Sequence, residues 1–473
     1  FNYPDIKQVA FVMKLHQAFD IVRGDVVAFT GAGGKTSALI GLGYELAGMN
    51  WRVLASTTMH IPAEQLQLFP HTMHYNSGAA AISDALTAHQ FVFLHGEIRD
   101  GLVYGADETW TRQLLDSVDS DVLLLEADFA DGKALKAPLN HEPVIPDEAT
   151  LVVPVMSLAA LNKPFDDDHV YNPTAMTEKY GFYPGKPIRA PWLAQILRDG
   201  DFALKGIPLQ ARVIAYLNQG TNSAYTRNRA RVIAQLALKS GRLQGVAPGA
   251  VRSSDPVSEV QRAVGAIVVA AGKSSRMGQP KVLLPWIDNR SIIEHITRQL
   301  IRARLSHINV VTGYYATDVK RLIKPYEVKT VHNRSHRTGE MFSSLRTGLK
   351  AMPDNISAAL LVLGDQPRIQ PKIIYDILSA YAQGKGRLII PSFQRRRGHP
   401  ILIDRRYWQE ILSASRNTTL RDIINTHSDD IHYVNVNTDS VLRDVDTPDD
   451  YAEERRKAGL RHIDIHRLKP DIY

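Results

Sequence analysis

No cysteine occurs anywhere in this 473-residue chain. Disulfides and thiolate metal sites are therefore excluded, and a reducing compartment fits. Long apolar runs are missing as well. The longer ones, residues 122–125 and 358–363, have the length of buried strands and fall far short of the ~18 residues of a membrane span. Membrane insertion is not expected. Dense basic clusters are equally scarce, the densest being Arg395-Arg396-Arg397. The formal net charge of +7 therefore points to anionic small molecules, such as nucleotides and a phosphorylated cofactor, rather than to nucleic acid. The chain opens on Phe1 rather than Met, no stretch reads as a signal peptide, and the expected compartment is the cytoplasm.

What is present is the make-up of a globular protein, with 44% hydrophobic and 22% charged residues. The length exceeds what one core supports, so two domains are expected. Residues 1–20 carry a helical pattern through Val9, Phe11, Val12, Leu15 and Phe19. A strand over 25–30 then runs into Gly31-Ala32-Gly33-Gly34-Lys35-Thr36 and a helix to Met49. Strand, glycine-rich loop, Lys-Thr and helix is the layout of a phosphate-binding loop. Gly31, Gly33 and Gly34 would allow close approach, and amides of residues 33–36 would cradle phosphates. Lys35 would neutralise them, and the Thr36 hydroxyl would reach Mg²⁺. The full Walker spacing wants a glycine where Phe29 stands. The spacing T-G-x-x-G-K-T resembles instead the shortened loop of the Mur ligases. A glycine-rich helix start without a ligand is the plain alternative.

Two further strands, 52–56 and 121–126, end in Ser56-Thr57-Thr58 and Glu126-Ala127-Asp128. Glu126 would hold Mg²⁺ directly or through water, although acids also end strands for solubility alone. Glu126-Ala-Asp, then Leu135-Lys-Ala-Pro, then His141-Glu-Pro-Val-Ile-Pro, resembles the accessory family linked to selenium-dependent molybdenum hydroxylases, over roughly residues 20–245. In that family Glu-Ala-Asp is usually followed by glycine, whereas Phe129 stands here. The resemblance implies an accessory module, with ATP or another NTP at the loop. A molybdenum hydroxylase apo-enzyme is the expected transient partner. After a strand over 150–156, residues 207–243 read as mostly helical, with Val213, Ile214 and Leu217, then Val232, Ile233, Leu236 and Leu238, on apolar faces. From 246 to 255 the chain is small, polar and turn-prone. The expected division is a P-loop-like domain with a helical extension over 1–250, a linker over 251–259, and a second domain over 260–473.

The second domain is organised around residues 265–281. An unbroken apolar run, 266–271, reads as a buried strand. The loop after it carries small residues at Gly272, Ser274, Ser275 and Gly278, and cations at Lys273, Arg276 and Lys281. Glycines for approach, free amides to donate and cations to offset charge make a triphosphate cradle. A-A-G-x-S-x-R-M-G-x-x-K closely resembles the signature loop of nucleotidyltransferases, in particular the molybdenum cofactor cytidylyltransferases. In that group Ala-Ala-Gly goes with CTP and Ala-Gly-Gly with GTP, so Ala270-Ala271-Gly272 implies cytidine. The resemblance also implies a Rossmann-like α/β domain. At 339–348 the family order Glu-Gly-Met is exchanged to Gly339-Glu340, and Ser344 is expected to face the nucleotide.

A buried strand, 358–363, delivers Asp365 to its carboxyl end. One carboxylate there suits a Mg²⁺ that takes its remaining ligands from phosphates. Capping of the helix starting at Gln370-Pro371 is the structural alternative. Gly364-Asp365-Gln366-Pro367 matches the family's metal motif. Gly398-His399-Pro400 matches a motif on the pterin side, an assignment resting on the resemblance alone. Asp444 and Asp446 share one face of an extended segment. Either suits the second metal carboxylate, and the resemblance favours Asp446.

The expected reaction is attack by a terminal phosphate of molybdopterin on the α-phosphorus of CTP, expelling pyrophosphate. Lys281 and Arg276 would be the catalytic cations, and Asp365 and Asp446 would hold Mg²⁺. Two rivals share these residues. One is a nucleotidyltransferase for a sugar or alditol phosphate. The other is a carrier or chaperone of the molybdenum cofactor with the N-terminal loop as an NTP-driven switch.

Overall fold

Runs of apolar residues without polar alternation make strands buried on both faces, and such strands build parallel sheets covered by helices. Both halves of the chain follow this rule. The structure is a computed structural model that describes residues 13–105, 108–221, 223–337, 341–415 and 418–465. It divides into two units, Phe1–Gln261 and Arg262–Tyr473.

The first unit is built on a nine-stranded sheet. In chain order its strands are β1 (Asp25–Gly31), β2 (Val53–Thr57), β3 (Thr72–His74), β4 (Phe91–His95), β5 (Val122–Glu126), β6 (Leu151–Ser157), β7 (Arg212–Asn218), β8 (Gly245–Pro248) and β9 (Gln261–Arg262). In space they run β9-β8-β7-β6-β1-β5-β2-β4-β3. All pairings from β8 to β3 are parallel. The chain leaves β1 toward one edge and later returns to its other side with β6. The carboxyl end of β1, where the glycine loop begins, is thus a topological switch point. Helix α1 (Lys35–Ala47) follows that loop.

Two expectations need revising in this unit. Val213, Ile214 and Leu217 lie on β7, not on a helix, and helix α2 starts only at Ala224 and ends at Ala237. Residues 251–259 pack on the first unit: Val257 is buried in its core, the Tyr216 hydroxyl donates to the Pro256 carbonyl at 2.8 Å, and Arg231 forks onto Glu259 at 2.7 and 3.0 Å. Of the expected N-terminal helix, one turn, Leu15–Ala18, is described, with Leu15 and Phe19 buried. Val9, Phe11 and Val12 lie outside the described residues, as do Gly339 and Glu340.

The second unit has strands β10 (Val264–Ala270), β11 (His307–Thr312), β12 (Lys329–His332), β13 (Ala358–Leu363), β14 (Leu388–Phe393), β15 (Arg396–Arg397), β16 (Ile401–Asp404) and β17 (Ile431–Asn435). They run β12-β11-β10-β13-β16-β14-β15, with β17 also on β14. From β12 to β13 the pairing is parallel, and β16 is antiparallel to both of its neighbours. Alternate residues of β10 feed two cores. Val268 joins one with Ile296 and Ile374, and Ile267 joins the other with Leu345 and Trp408. Helix α3 (Ile292–Arg302) presents Ile292, Ile293, Ile296 and Leu300 to the sheet, and a Ser291–Glu294 capping box starts it. Helices α4 (Met341–Lys350), α5 (Pro371–Ala382) and α6 (Pro448–Lys457) complete the layers used below. The backbone is tight where β10 ends. A Cβ at Gly364 would lie 2.6 Å from the Val269 carbonyl oxygen, and one at Gly313 would lie 2.4 Å from that of Ala271. No helix among the described residues is long and apolar enough to cross a membrane.

Candidate functional site

In the second unit, Ala270, Ala271, Gly272, Ser274, Lys281, Ser344 and Asp365 line one cavity of about 310 Å³. The loop pattern and the family resemblance together had assigned all seven to the nucleotide, the phosphates or the metal. Gly278 shapes the loop at φ +72° and does not line the cavity. Ser274, at φ +57°, closes the loop: its Oγ accepts from the Lys281 amide at 3.2 Å and its carbonyl from the Met277 amide at 3.2 Å. Tyr315 adds a hydroxyl bond to the Lys273 carbonyl at 2.9 Å.

At one side of this cavity the Lys281 ammonium bonds Asp365 and lies 2.9 Å from Asp446 Oδ1. The other oxygen of Asp446 takes the Arg276 guanidinium at 2.8 Å. The backbone fastens the two acidic segments, because the Val445 amide donates to the Asp365 carbonyl at 2.9 Å. Burial alone would lower the Lys281 pKa, but the two carboxylates outweigh it and hold the ammonium above its ordinary value. Asp444 turns away and accepts from Gln366 Nε2 at 2.6 Å. Burial raises its pKa, against the Gln366 bond, and the charges of Asp365 and Asp446 add to the rise. Helix α5 has no side-chain cap at Gln370, so Asp365 is spent on Lys281 and not on capping.

Two residues that spacing did not single out support the cavity. Asn333 is buried, donates to Ser343 and Ser344 at 2.8 and 3.1 Å, and accepts from the Ser335 amide at 2.9 Å. His336, in the same turn, lines the cavity. An Asn-x-Ser directly after strand β12 was the available signal, since Asn commonly bonds the backbone two residues on.

Gly398-His399-Pro400 does not line that cavity. The Gly398 amide bonds the Pro391 carbonyl at 2.8 Å and the His399 amide bonds that of Val441 at 2.9 Å. A Cβ at Gly398 would sit 2.5 Å from the Val441 oxygen, which explains the glycine. The His399 Nε2 is buried without a hydrogen-bond partner, and burial lowers the ring's pKa to about 4. The imidazole is neutral at pH 7.

In the first unit, Gly33, Gly34, Lys35, Thr36 and Glu126 line a cavity of about 900 Å³. Gly31 lies beneath the loop and outside it. The loop glycines have φ of +88° (Gly31), +79° (Gly33) and +131° (Gly34), conformations closed to other residues. Lys35 folds back: its ammonium donates to the Gly31 carbonyl at 2.9 Å and lies 3.2 Å from Asp128 and 3.6 Å from Glu126. The Thr36 hydroxyl donates to Glu126 at 2.7 Å, and the Gly31 amide to Asp128 at 2.9 Å. Asp128 in turn lies 3.4 Å from the Lys136 ammonium, which bonds Glu142 at 2.8 Å. Charges therefore alternate along Glu126, Lys35, Asp128, Lys136 and Glu142, all buried. Burial opposes the Lys35 charge, yet Asp128 and Glu126 hold its pKa raised, while burial raises that of Glu126. Sequence reasoning gave no role to Asp128, Lys136 or Glu142. Phe129, in place of the glycine of the resembled family, packs tilted against His60, ring centroids 4.4 Å apart, on the cavity wall.

Donor sets for a divalent cation are modest. Among the described residues, no cluster of three or more His, Asp or Glu is poised to hold a metal ion. Asp365 and Asp446 sit close enough for one ammonium to touch both. Such a pair suits a hard cation completed by phosphate oxygens and water.

The YqeC protein family matches residues 27–174, and the MobA-like NTP transferase domain family matches residues 266–431. The uncharacterized protein YqeC of Escherichia coli (strain K12) is 30% identical over 203 residues, 42% of this chain and 77% of that one. The molybdenum cofactor cytidylyltransferase of the same strain is 29% identical over 196 residues, 41% of this chain and 97% of that one. Among solved structures, Rv0371c from Mycobacterium tuberculosis H37Rv is 22% identical, covering 41% of this chain and 99% of that chain, with a TM-score of 0.37.

Proposed function

Because the chain belongs to the YqeC family and carries a MobA-like NTP transferase domain that makes it a nucleotidyltransferase, we propose that it transfers CMP from CTP to molybdopterin for the maturation of a molybdenum hydroxylase. The carrying observation is the Lys281 ammonium shared between Asp365 and Asp446 beside a cavity lined by the signature loop. The likeness to a molybdenum cofactor cytidylyltransferase and the Ala270-Ala271-Gly272 sequence favour cytidine.

In this reading an oxygen of the terminal phosphate of molybdopterin forms a bond to the α-phosphorus of CTP. The bond from that phosphorus to the bridging oxygen breaks, and pyrophosphate leaves. The attacking phosphate is already ionised at pH 7, so no general base is required. Catalysis is positioning and charge stabilisation. Amides of the loop from Ala271 to Ser274 cradle the phosphates, and Ser344 faces the nucleotide. Lys281 turns from its carboxylates to the α-phosphate, and the exposed Arg276 reaches the outer phosphates. Asp365 and Asp446 are the residues that would hold Mg²⁺, which when bound offsets charge on the polyphosphate. Gly398, His399 and Pro400 stand on the pterin side. The first unit is an accessory module that binds ATP or another NTP, with Thr36 and Glu126 toward its Mg²⁺.

The test is pyrophosphate release with CTP, GTP or ATP, each with and without molybdenum-loaded molybdopterin and Mg²⁺. Release with CTP alone, dependent on the pterin, supports both the reaction and the base preference. Release with CTP and a sugar or alditol phosphate instead moves the acceptor. Tight cofactor binding with no release under any condition makes the chain a carrier.

A further inference from the structure

Residues 250–253, which straddle the expected boundary between first domain and linker, form one wall of the large cavity in the first unit. Their backbone is tied to the glycine loop by a single side chain. Asn218, buried at the end of β7, donates from Nδ2 to the Gly33 carbonyl at 2.9 Å and accepts at Oδ1 from the Val251 amide at 3.2 Å. The Asn218 side-chain amide also fills the space over Gly34, where a Cβ would lie 2.3 Å from Nδ2. Any shift of the Gly33–Gly34 peptide is therefore felt at Val251.

Charge makes the second observation. Lys35, Lys133 and Arg252 reach this cavity from three separate segments. Lys35 is engaged by two carboxylates. Among the described residues neither the Lys133 nor the Arg252 side chain has a carboxylate partner. Both side chains share the cavity lining with the glycine loop and with Asp131, so the phosphates of a metal-bound polyanion would meet cations there, and an arginine bonded to phosphate makes strong, charge-assisted contacts.

Resting on the reading of the first unit as an NTP site, we propose that residues 250–253 are its closing wall: Arg252 contacts the phosphates of a Mg²⁺-bound nucleoside triphosphate, and Asn218 is a positioning residue that sets the wall against the loop. Bound nucleotide adds the Arg252–phosphate contact to the Asn218 tether and so holds the wall more firmly.

Arg252 is exposed, so trypsin reports on the wall directly in the full chain. Mg²⁺-ATP is expected to slow cleavage after Arg252 by about tenfold or more, as burial of a cleavage site should. Arg252→Ala is expected to weaken Mg²⁺-ATP binding by about tenfold, the worth of one charge-assisted contact, and Lys35→Ala to abolish the binding of the first unit. Asn218→Asp keeps the acceptor for Val251 and loses the donor to Gly33. At saturating Mg²⁺-ATP it should leave Arg252 cleavable, a readout that a purely structural role would not move. Nucleotide binding that is lost in Lys35→Ala but leaves Arg252 cleavage and Arg252→Ala affinity unchanged overturns the wall and spares the NTP site. Binding that is indifferent to Lys35→Ala overturns the NTP site itself.

Discussion

Lys281 keeps two carboxylates together that would otherwise repel. Replacing it with alanine is expected to lower turnover by about 10²–10³-fold, the cost of one preorganised cation at developing charge, with pyrophosphate release as the assay. The same variant should bind Mn²⁺ without nucleotide more tightly than the wild type, because the acidic pair loses its resident cation. Calorimetry of the nucleotide-free proteins decides this. Arg276 is a different case. Its pair with Asp446 is exposed and worth about 0–1 kcal/mol, so Arg276→Ala should leave the unfolding temperature nearly unchanged while kcat/KM falls. His399 gives a pH prediction. Its pKa is about 4 when folded, against an ordinary value of 6.5, so between those values the unfolded chain binds more protons. The folded state therefore loses stability as pH falls from 6.5 to 4. His399→Gln should flatten that slope in a thermal melt by several degrees. Lys281, Asp365 and Asp446, singled out in the sequence by their motifs, come together in the structure. Asn218 was not legible, since its partner Gly33 is 185 positions away and nothing local marks the contact.

The elements that carry the site were mostly readable, because a buried parallel strand followed by a glycine loop is a local pattern. Two were not. Strand β7 is buried on both faces, so it lacks the alternation of a half-exposed strand and resembles the apolar face of a helix. The stretch 251–259 is small and polar because it turns, and its tether to the first unit hangs on Pro256, Val257 and Glu259, too few to register as an element. The close approach of Gly313 and Gly364 to the end of β10 gives this scale its prediction. Gly364→Ala should cost about 1–3 kcal/mol, as overpacking does, and raise KM for CTP more than it lowers kcat, since the displaced backbone is the root of the cradle. Denaturant melts and steady-state kinetics on one preparation check both.

Across the whole molecule, two unrelated stretches of chain arrive at one arrangement. Each unit has a glycine loop after an early central strand, and each folds a lysine back between two acidic side chains: Lys35 between Glu126 and Asp128, and Lys281 between Asp365 and Asp446. Sequence reading supplied the loops and most of the acids, but it assigned both lysines to phosphates, whereas the structure sets each between carboxylates. Calorimetric titration of Mg²⁺ into the nucleotide-free protein should therefore give little heat, and titration in the presence of CTP a clear signal. A strong signal without nucleotide would count against the lysines as occupants of the cation positions. On the expected outcome the two sites are deaf to the ions of their surroundings. A lysine fills the seat between each pair of acids, and the metal enters only as luggage of the nucleotide that displaces it.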